Sequence, residues 1–194
     1  IGGTNDDSIK SVIETSDGGY IAVGSFKSES IDLGNGINLT NKGSYDGIVI
    51  RYNSKGEIKW AQGIGGTDDD YINSVVETND GGYIVGGYFE SSSIDLGNGT
   101  SLINKSESNI SNAGMLIKYD STGNIEWAKS LGGKKDLRIY SVVETSDGGY
   151  IVGGDFSGSV DLENGVSLTS KGYYDGMLIK YDSTGNAEWA KSLG

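Results

Sequence analysis

Asp147-Gly148-Gly149-Tyr150-Ile151-Val152-Gly153-Gly154 occurs three times in this chain. The other copies are Asp17-Gly18-Gly19-Tyr20-Ile21-Ala22-Val23-Gly24 and Asp80-Gly81-Gly82-Tyr83-Ile84-Val85-Gly86-Gly87. Each copy reads as a tight turn feeding a strand. Asp-Gly-Gly supplies the positive-φ residues that a hairpin turn needs, and the run after it is aromatic and β-branched. Working outward in the third copy, Ser141-Val142-Val143-Glu144-Thr145 precedes the turn as a first strand, and Tyr150 to Phe156 is the second. After a polar excursion, Gly176-Met177-Leu178-Ile179-Lys180-Tyr181 is a third strand and Asp182-Ser183-Thr184-Gly185 a second tight turn. Ala187 to Leu193 is the fourth strand, and it ends on the glycine that opens the next repeat.

The period is set by invariant markers. Gly2, Gly65, Gly132 and Gly194 are equivalent at spacings of 63, 67 and 62, and Trp60, Trp127 and Trp189 are equivalent. Residues 115–132 and 177–194 differ only in that Ile125 becomes Ala187. The repeats are therefore 1–64, 65–131 and 132–194. Trp60 to Tyr83 and Trp127 to Tyr150 are both 23 residues, and the step from Gly47, Gly114 or Gly176 to the following tryptophan is always 13. Asp32 to Gly47 and Asp161 to Gly176 are 15 residues, whereas Asp95 to Gly114 is 19, the extra four lying in 106–112. Constant spacing marks scaffold and variable spacing marks a surface loop.

The second and third strands do not alternate. Tyr-Ile-Val and Met-Leu-Ile are continuous apolar runs, as in sheets covered on both faces. A four-stranded sheet covered on both faces by copies of itself is a propeller blade. The expected fold is an all-β β-propeller of four-stranded antiparallel blades, three per chain. A sandwich explains the strands but not the strict period, and a parallel β-helix has shorter coils.

The frame Gly-Gly-Thr-Asp-Asp-Asp-Tyr-Ile … Asp-Gly-Gly-Tyr-Ile-Val-Gly-Gly … Asp-Leu-Gly-Asn-Gly … Gly-Met-Leu-Ile-Lys-Tyr-Asp-Ser-Thr-Gly-Asn-Ile-Glu-Trp-Ala-Lys, from 65–129, resembles the bacterial SBBP-type β-propeller repeat. The resemblance runs over the whole chain, three times. It implies a secreted or cell-surface bacterial protein, one of a class in which propeller repeats sit beside adhesion-type modules. It brings no catalytic residues with it.

Known propellers close with roughly four to eight blades, so three leave an open fan with two apolar end faces. Either two chains join head-to-tail into a six-bladed ring, or this is part of a longer chain. The homodimeric ring is the expectation. Leu193-Gly194 stands where a further Ile-Gly-Gly would begin, and the opening on Ile1 rather than Met suggests a processed or excised piece.

Composition narrows function. There is no cysteine and no histidine, which removes disulfides, thiolate nucleophiles, the commonest general base and the commonest metal ligand. A hard cation such as calcium is the one metal left open; otherwise no cofactor is expected. A net charge of −12 disfavours nucleic acid and anionic membranes, which need basic surfaces. No apolar run approaches the ~20 residues of a membrane-spanning helix, and no signal peptide is present in this sequence.

Up-and-down strands put the two tight turns of each repeat on one rim and everything variable on the other, where a binding site is expected. That rim carries Asp6 and Asp7, then Asp68, Asp69 and Asp70, then Lys134, Lys135 and Asp136; only Asp6, Asp69 and Asp136 align as acid in all three repeats. These aspartates read either as a carboxylate ring for calcium or a cationic partner, or as loop side chains bonding nearby amides. The loop aromatics Tyr45, Tyr71, Tyr140, Tyr173 and Tyr174 are the other candidates for contacting a protein or glycan. Trp60, Trp127 and Trp189 are locked to the scaffold spacing and read as blade-to-blade packing. Asp120 to Glu126 lacks the acids and spacing of an EF-hand and reads as a hairpin turn. No carboxylate pair stands out for glycosidase chemistry, so no enzyme is expected. The main expectation is a non-catalytic scaffold or interaction module, with a carbohydrate-binding or glycan-hydrolysing propeller as the alternative.

Overall fold

The computed structural model describes residues 2–106, 111–133, 135–162 and 165–194. The described residues form eighteen strands and no helix. The first repeat contributes β1 (Asp7–Glu14), β2 (Tyr20–Phe26), β3 (Ser30–Asp32), β4 (Asn38–Thr40), β5 (Asp46–Tyr52) and β6 (Ile58–Ile64). The second contributes β7 (Asp70–Glu77), β8 (Tyr83–Phe89), β9 (Ser93–Gly97), β10 (Thr100–Ile103), β11 (Ala113–Tyr119) and β12 (Ile125–Leu131). The third contributes β13 (Leu137–Glu144), β14 (Tyr150–Phe156), β15 (Ser159–Asp161), β16 (Ser167–Thr169), β17 (Asp175–Tyr181) and β18 (Ala187–Leu193).

Each repeat makes one four-stranded antiparallel meander, ordered β1-β2-β5-β6, β7-β8-β11-β12 and β13-β14-β17-β18. Strands β1, β7 and β13 pack on one another in turn, so they line the inner edge, and β6, β12 and β18 lie outside. These are three blades of a β-propeller-like fold. The second and third strands of a repeat are covered on both faces where a blade has two neighbours: every residue of β11 is buried. In the third blade the same pattern opens at Leu178.

The turn motif divides its labour between its glycines. Only the first has positive φ, as at Gly148 (77°). The second is needed for room, because a Cβ on Gly82 would fall into the Tyr119 carbonyl and the Lys118 ammonium. That ammonium is a buried cation beneath the turn. Lys118 Nζ meets Asp80 at 2.9 Å and Glu126 at 3.0 Å, and it donates to the carbonyl of Tyr119 at 3.2 Å. Arg51 and Lys180 hold the same place in the other blades. Bonds from the Thr78 hydroxyl, the Gly82 amide and Lys118 outweigh the burial of Asp80 and hold its pKa down at about 2.

The inner strands are longer than the sequence suggests. In the third repeat the strand starts at Leu137, not Ser141, because a bulge between Ile139 and Ser141 leaves Tyr140 unpaired and interrupts the apolar pattern. The same bulge falls at Lys10 and Asn73. It drives the carbonyl of Tyr71 against Gly87, where a Cβ would overlap it, and the final glycine of the motif is therefore fixed. Asp-Leu-x-Asn-Gly forms the small hairpins β3–β4 and β9–β10, with Asn35 and Asn98 at φ of 53° and 52°. The equivalent Asn164 lies outside the described residues, as do 107–110 of the extended loop and Lys134.

The core lies between blades. One cluster joins Ile21, Val23, Val49 and Ile64 of the first blade to the inward face of the second. Another joins Ile84, Leu116 and Leu131 of the second to the third. The tryptophans belong to this packing, as their spacing predicts. Trp60 lies 5.8 Å from Tyr119 and against Gly123 of the next blade, and Trp127 lies against Gly185.

Candidate functional site: a tyrosine arc on the variable rim

Five of the expected rim tyrosines come together with three residues that the sequence reading did not single out, Tyr88, Arg138 and Lys27. Tyr45, just before β5, has its ring 5.5 Å from Tyr71 at the start of β7. Tyr71 is 5.2 Å from Tyr88 near the end of β8, and Tyr88 meets Tyr140 edge-on at 6.4 Å. The guanidinium of Arg138 on β13 then lies 5.8 Å from the Tyr88 ring and 5.3 Å from the Tyr174 ring. Tyr174 in turn meets Tyr173 edge-on at 5.2 Å. Lys27 closes the near end, 5.1 Å from the Tyr45 ring. The result is one arc of rings and cations across all three blades. Its spacings are those of offset and edge-on aromatic pairs and of cation–π contacts.

Two of the five tyrosines expected on loops are not there. Tyr71 and Tyr140 stand on strands β7 and β13, Tyr140 at the bulge, where an extra residue is re-aimed out of the ladder. The repeat counterparts of Tyr88 are Ser25 and Asp155 and those of Arg138 are Ser8 and Tyr71, so neither position is marked by a shared residue type. Apart from the equivalent pair Tyr45 and Tyr174, the arc is built from positions at which the repeats differ.

Carboxylates stud the arc and hold its hydroxyls. Tyr71 donates to Asp69 at 3.2 Å and Tyr140 to Asp155 at 2.9 Å, and Tyr174 donates to Asp136. Burial and the neighbouring Asp69 push the Tyr71 hydroxyl well above the usual phenol range. Burial and Asp155 raise that of Tyr140, and the Asp136 bond followed by burial raises that of Tyr174. Burial and Asp69 also raise Glu90 beside them. Arg138 pairs with Asp136 at 3.7 Å. Bonds from Tyr174 and Asn112 outweigh burial and keep the Asp136 carboxyl below its ordinary value. Partly exposed aromatic faces edged by carboxylates suit a cationic or a polyhydroxylated ligand.

The aspartates do not act as one set. The carbonyls of Asp6, Asp69 and Asp136 accept the amides of Lys27, Glu90 and Ser157, stitching inner strand to second strand. Asp7 accepts from the Gly3 amide at 2.7 Å and the Ser28 hydroxyl at 2.8 Å. Asp70 does the same with Gly66 at 2.7 Å and Ser91 at 2.8 Å. These side chains follow the amide-bonding alternative. Asp70 is fully buried, so it meets no partner at the rim. Asp68, exposed, takes the Thr67 hydroxyl at 3.0 Å. Lys135 is exposed. Among the described residues no three His, Cys, Asp or Glu side chains gather into a group that could hold a metal ion.

Asp70 has a buried acidic neighbour, Asp46 at the start of β5 across the boundary between first and second blades. Burial, only partly offset by its hydrogen bonds and reinforced by Asp46, pushes Asp70 up to about 7. Burial also raises Asp46, whose Oδ1 has no hydrogen-bond partner among the described residues. At the next boundary the same two positions are Ala113 and Leu137.

No protein-family model matches the chain. It is 28% identical over 168 residues, 81% of its length, to an uncharacterized WD repeat-containing protein of Acanthamoeba polyphaga mimivirus. It is 26% identical over 147 residues, 76% of its length, to the regulatory protein FlaEY of Caulobacter vibrioides. The matched chain spans 11% and 15% of those proteins' lengths. The first similarity accords with a propeller-type repeat fold. No helix among the described residues is long and apolar enough to cross a membrane.

Proposed function

We propose that this chain is a non-catalytic β-propeller interaction module of a secreted or cell-surface bacterial protein, and that its tyrosine arc takes a basic segment of a partner protein. The observation that carries this is Arg138, which lies between the rings of Tyr88 and Tyr174 and beside the Asp136 carboxylate. It is an internal example of how a partner's guanidinium would sit on the rest of the arc. The net charge of −12 favours approach of a cationic partner. The resemblance to the bacterial SBBP-type repeat supports the extracellular setting, and the similarity to a WD repeat-containing protein supports the role of scaffold. The fan is completed as a closed ring of six blades.

The test is binding of an arginine-rich peptide and a lysine-rich peptide of equal charge. Arginine stacks on aromatic faces and forks onto carboxylates, so it is expected to bind more tightly. Tyr71→Ala should weaken it roughly fivefold, a cation–π-sized loss. Equal binding of the two peptides, unaffected by Tyr71→Ala, overturns the proposal. The same arc of rings edged by carboxylates favours a glycan as the second reading. A glycan array with a reducing-sugar assay separates the two, and specific glycan release would overturn a non-catalytic role.

A further inference from the structure

The two end faces of the fan repeat the two sides of its internal boundaries. At both internal boundaries the incoming blade offers the same three apolar residues from its first two strands. Ile72, Val75 and Tyr83 do so in the second blade and Ile139, Val142 and Tyr150 in the third, all of them buried. The counterparts in the first blade are Ile9, Val12 and Tyr20, and they are open. Ile9 is 47% and Val12 61% exposed, against 0% and 4% for Ile72 and Val75. On the outgoing side Leu116 and Leu131 are buried by the third blade, while their counterparts Leu178 and Leu193 stand exposed.

The specific contacts are interrupted in the same way. Trp60 covers Gly123 in the second turn of the following blade, and Trp127 covers Gly185. Trp189 is exposed, and nothing lies within 4 Å of a Cβ built on Gly56. The amide and hydroxyl of Ser16 donate to Glu77 of the next blade at 2.7 and 2.9 Å, and the Asn79 amide donates to Glu144 at 2.9 Å. Continued once more, this pattern joins Ser146 to a Glu14.

We infer that a second copy of this chain covers both ends, the third blade of each copy docking on the first blade of the other. This names the partner for the closed ring proposed above and rests on that reading. The occupant of the outgoing face must bring a glycine under Trp189, a glutamate to Ser146 and an Ile-Val-Tyr face to Leu178. The first blade brings Gly56, Glu14, and Ile9, Val12 and Tyr20. Head-to-tail contacts close when the rotation allows, and two copies give six blades, within the range at which propellers close.

The test is absolute mass by light scattering over a wide concentration range. Twice the 20.4 kDa of one chain, persisting on dilution, is expected. A monomer throughout, or a mass that keeps climbing with concentration, overturns the inference. The chain has no cysteine, so Glu14→Cys with Ser146→Cys tests the joint directly using a short bis-maleimide. A cross-linked dimer is expected from the double variant and none from either single one; a double variant that stays monomeric, or links into a ladder, overturns the joint. Val12→Glu should remain folded by circular dichroism and be monomeric; a folded Val12→Glu dimer overturns the assignment of that face. Peptide binding by Tyr71 in a monomeric Val12→Glu separates failure of the joint from failure of the rim.

Discussion

At the scale of single residues, Asp70 inverts the usual behaviour of a hydrogen-bonded carboxylate. Its folded pKa of about 7 lies above the ordinary 3.8, so between these values the native state holds a proton that the unfolded chain releases. Stability is therefore highest in the acidic part of this window and falls as pH rises, by up to ~1.4 kcal/mol per pH unit. The melting temperature should drop between about pH 5 and about pH 7, and Asp70→Asn should flatten the drop. An unchanged profile in that variant would remove Asp70 as its source. The glycines of the motif also separate at this scale. Gly148→Ala meets open space and suffers only from its φ of 77°, an expected cost of about 1–2 kcal/mol. Gly87→Ala collides with the Tyr71 carbonyl and should cost more, about 3 kcal/mol or above. Urea midpoints on the two variants check the order.

At the scale of elements, the sequence made the regular parts legible. Asp-Gly-Gly, Ser-Thr-Gly and Asn-Gly mark turns because each needs a residue of positive φ, and Gly81, Gly123 and Asn98 adopt it. Fixed spacing gave the strand order. The bulge was not legible, because one extra residue at Tyr140 or Asn73 leaves no compositional trace and is visible only as an offset between paired strands. It explains why the inner strands read four residues short and why Tyr71 and Tyr140 read as loop residues. The second motif glycine was read as a conformational requirement. It is a spatial one, set by a buried cation whose place passes from Arg51 to Lys118 to Lys180. Such a charge is retained at a desolvation cost only where it is paired, here by the aspartate of the turn above it and, in the second and third blades, by a glutamate of the outer strand.

At the scale of the whole molecule, the arc was half legible. Tyrosines on a variable rim were plain in the sequence, but Tyr88 joins them through Tyr71 of its own blade and Arg138 meets the Tyr88 ring across the blade boundary. In the proposed ring, Asp175 of one copy would stand against Asp7 of the other, in the places of Asp46 and Asp70. At present both lie below their ordinary values, Asp175 through the Lys171 amide first and Asp7 through Ser28, Gly3 and Lys27 against its burial. Docking would bury them together and raise both, so protons are taken up on association. The dimer should therefore dissociate more readily at about pH 8 than at about pH 5.5; sedimentation at the two values checks it, and tighter association at the higher pH would contradict the pairing. The near-identity of 115–132 and 177–194 has a consequence for the gene. Each repeat encodes both halves of its boundary, so slipped replication that adds or deletes one repeat unit changes the blade count by one and inherits contact surfaces already matched to their neighbours.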